Sequence, residues 1–160
     1  MLESCKNAQE RWGGVHQMID RWLAERREML ISYNRLSISL KNKGQVSTDQ
    51  LETFREWLVD YLSAGHFEIY EQLLREAEAF KDRAAVELLD TTLPALHDST
   101  QSLMRLECQL TPAALSHIKD TLSQLGELLA ERFEQEDLLI KMLHAAHAPT
   151  ATTTSSPAEA

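Results

Sequence analysis

The chain should fold as an all-α, up-and-down four-helix bundle, and three features of its sequence say so. Apolar residues recur every three or four positions along nearly the whole length, and no stretch alternates apolar and polar residues as a half-buried strand would. Start signals divide the periodic run into four segments with short joins.

The first segment carries Trp12, Val15, Ile19, Trp22, Leu23, Leu30 and Tyr33 on one stripe, a long amphipathic helix in which Gly13-Gly14 is a place to bend or fray. Residues 41–46, with Gly44, read as a loop. Ser47-Thr48-Asp49-Gln50 then matches a capping box, the hydroxyl and the amide each satisfying an orphan backbone N–H. The second stripe is Leu51, Phe54, Leu58, Leu62, Gly65, Ile69 and Leu73. Its phase survives Ser63-Ala64-Gly65, so one helix, with room for a kink, is expected to about Phe80. Residues 81–90 read as a connector with a short helical turn. Thr92 is the expected cap of a third helix, with Pro94 in its first turn and Leu96, Leu103 and Leu106 behind it, ending near Gln109. Thr111-Pro112 repeats that signal ahead of Leu115, Ile118, Leu122, Leu125, Leu129, Phe133, Ile140 and Leu143. Residues 148–160 are small, polar and aperiodic, and are expected to be a disordered tail behind a single domain spanning 1–147.

A chain of 160 residues suits one domain, and 43% hydrophobic with 26% charged residues suits a globular one. The net charge is -9, carried mainly by residues 48–80, at -6, and 120–160, at -5, while residues 1–43 are +3. Phosphate-gripping folds are basic, so direct nucleic-acid binding is disfavoured and a positively charged partner is favoured. Cys5 and Cys108 form no pair with disulfide or zinc spacing, and the N-terminus lacks a signal-peptide pattern. No apolar run reaches the roughly 20 residues of a membrane span, so free thiols in a cytoplasmic protein are expected.

On an unbroken second helix, Leu51, Leu62, Gly65 and Ile69 lie within about 40° of Leu58, whereas Glu56, Asp60, Phe67, Glu71 and Leu74 lie roughly opposite. An outward aromatic ringed by carboxylates is the pattern of an interface anchor: the ring supplies area to desolvate, and the acids orient Lys or Arg of a partner. A break at Gly65 that turned Phe67 inward would remove that reading. Arg26 and Glu136 fall on core stripes, where an unpaired charge costs several kcal/mol. If the first and last helices are antiparallel with matched ends, Glu136 lies level with His16 and Arg132 with Asp20, and Arg26 has no carboxylate at its height. Asp20, Arg26, Arg132 and Glu136 are therefore the expected structural polar core.

Enzyme-like constellations are thin. A dimetal bundle needs Glu-x-x-His pairs, and none occurs; His144-Ala-Ala-His147 could chelate a metal but lacks a carboxylate set. His66 could accept a phosphoryl group, as in histidine-phosphotransfer bundles, yet its neighbours lack the Lys and Gly of that motif. No phosphate loop or nucleophile elbow is readable, so no cofactor and no catalysis are expected.

The segment Leu58-Val59-Asp60-Tyr61-Leu62-Ser63-Ala64-Gly65-His66-Phe67, followed by Ile69-Tyr70-Glu71, resembles the signature of the Rsd/AlgQ family of bacterial anti-sigma factors. Asp20-Arg21-Trp22-Leu23 with Arg26 and Leu30 resembles the family's first-helix motif, and Arg132-Phe133 with Glu136-Asp137 and Leu139 or Ile140 its last-helix motif. The first fourteen residues are nearer the AlgQ branch, which is linked by name to alginate regulation. The resemblance runs to about His144, without a defensible match over 81–110. It implies a bundle that binds the primary sigma factor of RNA polymerase one-to-one, chiefly at its C-terminal promoter-recognition region and also at its core-binding region, limiting its association with the core enzyme. It makes Asp60, Ala64, Phe67, Glu71, Leu74 and Glu56 the leading partner-binding residues, and leaves room for a further regulatory protein partner.

Overall fold

In the computed structural model, which describes residues 8–147, the chain is helical nearly throughout. The elements are α1 (Ala8–Lys43), α2 (Thr48–Ala64), a π-helical turn (Gly65–Ile69), α3 (Tyr70–Ala79), α4 (Arg83–Cys108), a 3-10 segment (Pro112–His117) and α5 (Ile118–His147). α2, the π-turn and α3 form one continuous rod, so four rods pack as a bundle: α1 on α2, α3 on α4, α4 on α5, and α5 back on α1. The expected tail, Cys5, and the side chains of Trp12, Leu115 and His147 lie outside the described residues.

Local chemistry sets each boundary. α1 runs three residues past the expected start of its loop, to Lys43, and reverses at Gly44, whose φ of 67° favours a residue without a Cβ. The Ser47 hydroxyl accepts from the Gln50 amide while the Gln50 side chain accepts from the Ser47 amide, closing the expected capping box. Helix α1 passes through Gly13 and Gly14 without interruption.

Two expectations are corrected. The connector over 81–90 and the Thr92 cap do not occur. The Asp82 carboxylate accepts from the Ala85 amide at 3.1 Å, and α4 begins at Arg83, with Ala85, Leu89, Leu96, Leu103 and Leu106 forming a single buried stripe. Pro94 sits inside this helix with its ring on the exposed face, so continuous burial on the other side outweighs one missing N–H. The reversal before it is tight: Lys81 is left-handed at φ 53°, and the Asp82 amide donates back to the Ala77 carbonyl at 3.0 Å. The second correction concerns Thr111-Pro112, which opens a 3-10 segment; the α-helix proper begins at Ile118.

The core contains every residue of the predicted second stripe, together with Val15, Ile19, Trp22, Met29 and Leu36 of α1, and Ile118, Leu122, Leu125, Leu129, Leu139 and Leu143 of α5. Gly126 of α5 leaves room for the Tyr33 side chain of α1. A Cβ there would lie 2.5 Å from the Tyr33 hydroxyl, which donates to the Leu122 carbonyl at 2.7 Å. Among the described residues, no helix is long and apolar enough to cross a membrane.

Candidate functional site

The inner half of the site is a polar cluster at mid-bundle. Glu136 of α5 is 1% exposed and Arg132, one turn before it, is fully buried. The Arg132 Nε donates to Glu136 Oε1 at 2.8 Å and to the Tyr61 hydroxyl at 3.1 Å; its Nη1 donates to Thr100 Oγ1 at 2.8 Å, Ser99 Oγ at 3.2 Å and the Leu96 carbonyl at 3.2 Å. Tyr61 and Tyr70 both donate to Glu136 Oε1, the latter at 2.9 Å. Arg26 of α1 completes the set, 3.4 Å from Glu136 Oε2 and 2.8 Å from Asp137, with its guanidinium 4.7 Å above the Phe133 ring. Burial lifts the Glu136 carboxyl above its ordinary range against the pull of Arg132, the two hydroxyls and Arg26. Burial, followed by the Glu136 charge, raises both phenols, which keeps them donors.

The structure brings Arg26, Arg132 and Glu136 together and leaves Asp20 out. Asp20 is exposed and lies 3.7 Å from His16, so its assignment to the polar core is corrected, as is the statement that Arg26 lacks a carboxylate. The two helices do not pack with matched ends: His16 stacks on His144, and Glu136 stands opposite Arg26. Trp22, Tyr61 and Tyr70 were not singled out as part of this site. Trp22 stacks on Tyr61 and meets Tyr70 edge-on, and its Nε1 donates to the Tyr61 carbonyl at 3.4 Å. For Trp22 and Tyr61 a signal is present, since an indole or phenol on a core stripe needs a polar partner and a buried carboxylate needs donors; Tyr70, half a turn from Tyr61 on an unbroken α-helix, carries none.

The outer half is the opposite face of the α2–α3 rod. Phe67, in the π-turn, is 71% exposed, the most exposed large apolar side chain among the described residues. Glu56, Asp60 and Glu71 are exposed along the same rod, with Ala64 and Leu74 half-buried beside them. Glu71 already pairs with Arg75 at 2.7 Å, one turn on. Glu25 of α1 adds to the acidic side: burial, then repulsion by Asp60 and Glu68, raises its carboxyl. On the flank toward α4 lie two open grooves. One, of about 650 Å³, is lined by Glu52, Arg55, Glu56, Val59, Asp60 and Glu107, with Arg55 held 2.7 Å from Glu107. The other, of about 560 Å³, includes Leu62, His66, Phe67, Met104, Arg105 and the free thiol Cys108 in its lining. His66 packs between the rings of Phe67, at 4.8 Å, and His97, at 4.6 Å, and its Nδ1 is buried. Burial, His97 and Arg132 lower its pKa. Among the described residues, no three His, Cys, Asp or Glu side chains converge so as to hold a metal ion.

The geometry is that of a four-helix bundle with an acidic face centred on one projecting aromatic. The chain belongs to the Rsd/AlgQ family: the family profile, described as regulator of the RNA polymerase sigma(70) subunit, matches residues 1–144. It is similar to the regulator of sigma D of Pectobacterium atrosepticum, 37% identical over 90% of this chain and 99% of that protein. The corresponding protein of Pectobacterium carotovorum subsp. carotovorum is 35% identical over the same shares, and that of Yersinia enterocolitica 34% identical over 88% of this chain and 89% of its own. No solved structure matches the chain significantly.

Proposed function

We propose that this protein is a non-enzymatic anti-sigma regulator that binds the primary sigma factor of RNA polymerase one-to-one. It occupies chiefly the C-terminal promoter-recognition region and also the core-binding region, so that bound sigma is withheld from the core enzyme. The observation that carries the reading is Phe67, projecting from an acidic rod in a chain of the Rsd/AlgQ family. A promoter-reading surface is basic, because it faces phosphates, and an acidic face can take the place of those phosphates. Glu56, Asp60 and Glu71 steer the encounter, and the Phe67 ring, with Ala64 and Leu74 beside it, supplies the contact that excludes water.

The test mixes the purified chain with purified primary sigma factor and follows the complex by size-exclusion chromatography with light scattering. The expected result is an equimolar complex that weakens as salt is raised and from which core polymerase recovers less sigma. Separate elution of the two proteins at micromolar concentration, or undiminished transfer of sigma to the core enzyme, would contradict the proposal.

A further inference from the structure

The rod that carries Phe67 is not a uniform α-helix, and the departure falls beneath the proposed anchor. Tyr61 and Tyr70 are nine residues apart, which on an ideal α-helix puts them about 180° apart. Both hydroxyls nevertheless meet one oxygen, Glu136 Oε1. The π-turn makes this possible: the Tyr70 amide donates to the Gly65 carbonyl five residues back, and the wider turn removes about a quarter of a revolution between the two tyrosines. Gly65 is at the inner side of that turn. A Cβ on it would lie 3.2 Å from the Tyr70 hydroxyl, 3.3 Å from Tyr70 Cζ and 3.4 Å from Arg132 Nη2, tighter than ordinary contact for the first two. The missing side chain is the space into which the Tyr70 phenol and the Arg132 guanidinium fit.

Phe67 is the middle residue of the same turn, outside, with its ring set edge-on against His66. We propose that Gly65, Tyr70 and Arg132 are positioning residues for the partner face: they hold the rod in its π-turn and so set the direction in which Phe67 projects. The proposal rests on the reading of Phe67 as the anchor, and it makes the buried cluster part of the binding apparatus as well as of the core. Insertion of a methyl group at position 65 pushes the Tyr70 phenol off Glu136. The turn then relaxes toward α-helical winding, and Phe67 rotates away from its place among the carboxylates.

The test is Gly65→Ala in the full chain, read with and without partner. Without partner, NOE cross peaks between the Phe67 and His66 rings are expected in the wild type and should weaken severalfold in the variant. With sigma factor, the variant should bind about tenfold more weakly when Phe67 is present and within twofold of its parent in a Phe67→Ala background, while its loss of thermal stability is equal in both backgrounds. Unchanged ring cross peaks, or the same loss of affinity in both backgrounds, would overturn the proposal. Lost cross peaks with unchanged sigma affinity would uphold the positioning role and reject Phe67 as the anchor. Should Gly65→Ala fail to fold, Tyr70→Phe, which adds no atom, is read in the same two ways, with weakened cross peaks expected and unchanged ones overturning the proposal.

Discussion

Glu136 is the hinge of the interior chemistry, since one buried oxygen accepts from Tyr61, Tyr70 and Arg132 while the other faces Arg26. Removing one partner of a buried ion pair leaves the other charge desolvated. Glu136→Ala should therefore cost about 3–5 kcal/mol in urea denaturation, and a loss below about 1 kcal/mol would show the cluster to be dispensable. Phe67 is the opposite case: it contributes little to the folded state that truncation would remove. Phe67→Ala should leave stability within about 0.5 kcal/mol and weaken sigma binding by about 2 kcal/mol or more, measured by urea melts and a binding titration on one sample. Equal affinities would remove it as a hot spot. For His66, a folded-state pKa below the ordinary value of about 6.5 means that the unfolded chain takes up that proton first. Its contribution to stability is thus complete above about pH 6.5 and is lost as pH falls below that value; His66→Gln should flatten the stability profile between pH 7 and 5, and an unaltered slope would contradict this.

Elements written in one repeated spacing were legible, and elements set by a single exception were not. The α2 face could be read because Leu51 through Leu73 keep helical spacing, and even the π-turn kept Gly65 and Ile69 buried and Phe67 outside. The exchange of α-helix for π-turn could not be read, because it depends on Tyr70 and Glu136, 66 residues apart, meeting in space. The start of α4 was missed for a different reason. Thr92 and Pro94 imitate a helix start, whereas Asp82 is the true cap and Pro94 lies eleven residues into the helix, on its wet side. An interior proline costs a hydrogen bond and crowds the preceding turn, so Pro94→Ala should raise stability by about 2 kcal/mol and with it the thermal midpoint; a lower midpoint would mean that the ring itself packs.

For the whole molecule, the fold class and the outward setting of Phe67 among acids followed from pattern and charge, while the relative level of α1 and α5 did not. α5 is offset along α1, with His144 at His16 and Glu136 at Arg26, and no periodicity within either helix reports on that offset. The result is a division of labour through the thickness of the bundle. Apolar stripes and one polar cluster fix four rods, and the α2–α3 rod turns an acidic, aromatic-centred face outward. On the proposed reading, sigma sits on this face. Amide hydrogen exchange by mass spectrometry, on the chain alone and saturated with primary sigma factor, decides whether it does. Slower exchange over residues 56–74, with little change along the solvent side of α5, is the predicted footprint. Saturated binding that leaves 56–74 exchanging as in the free protein would contradict it.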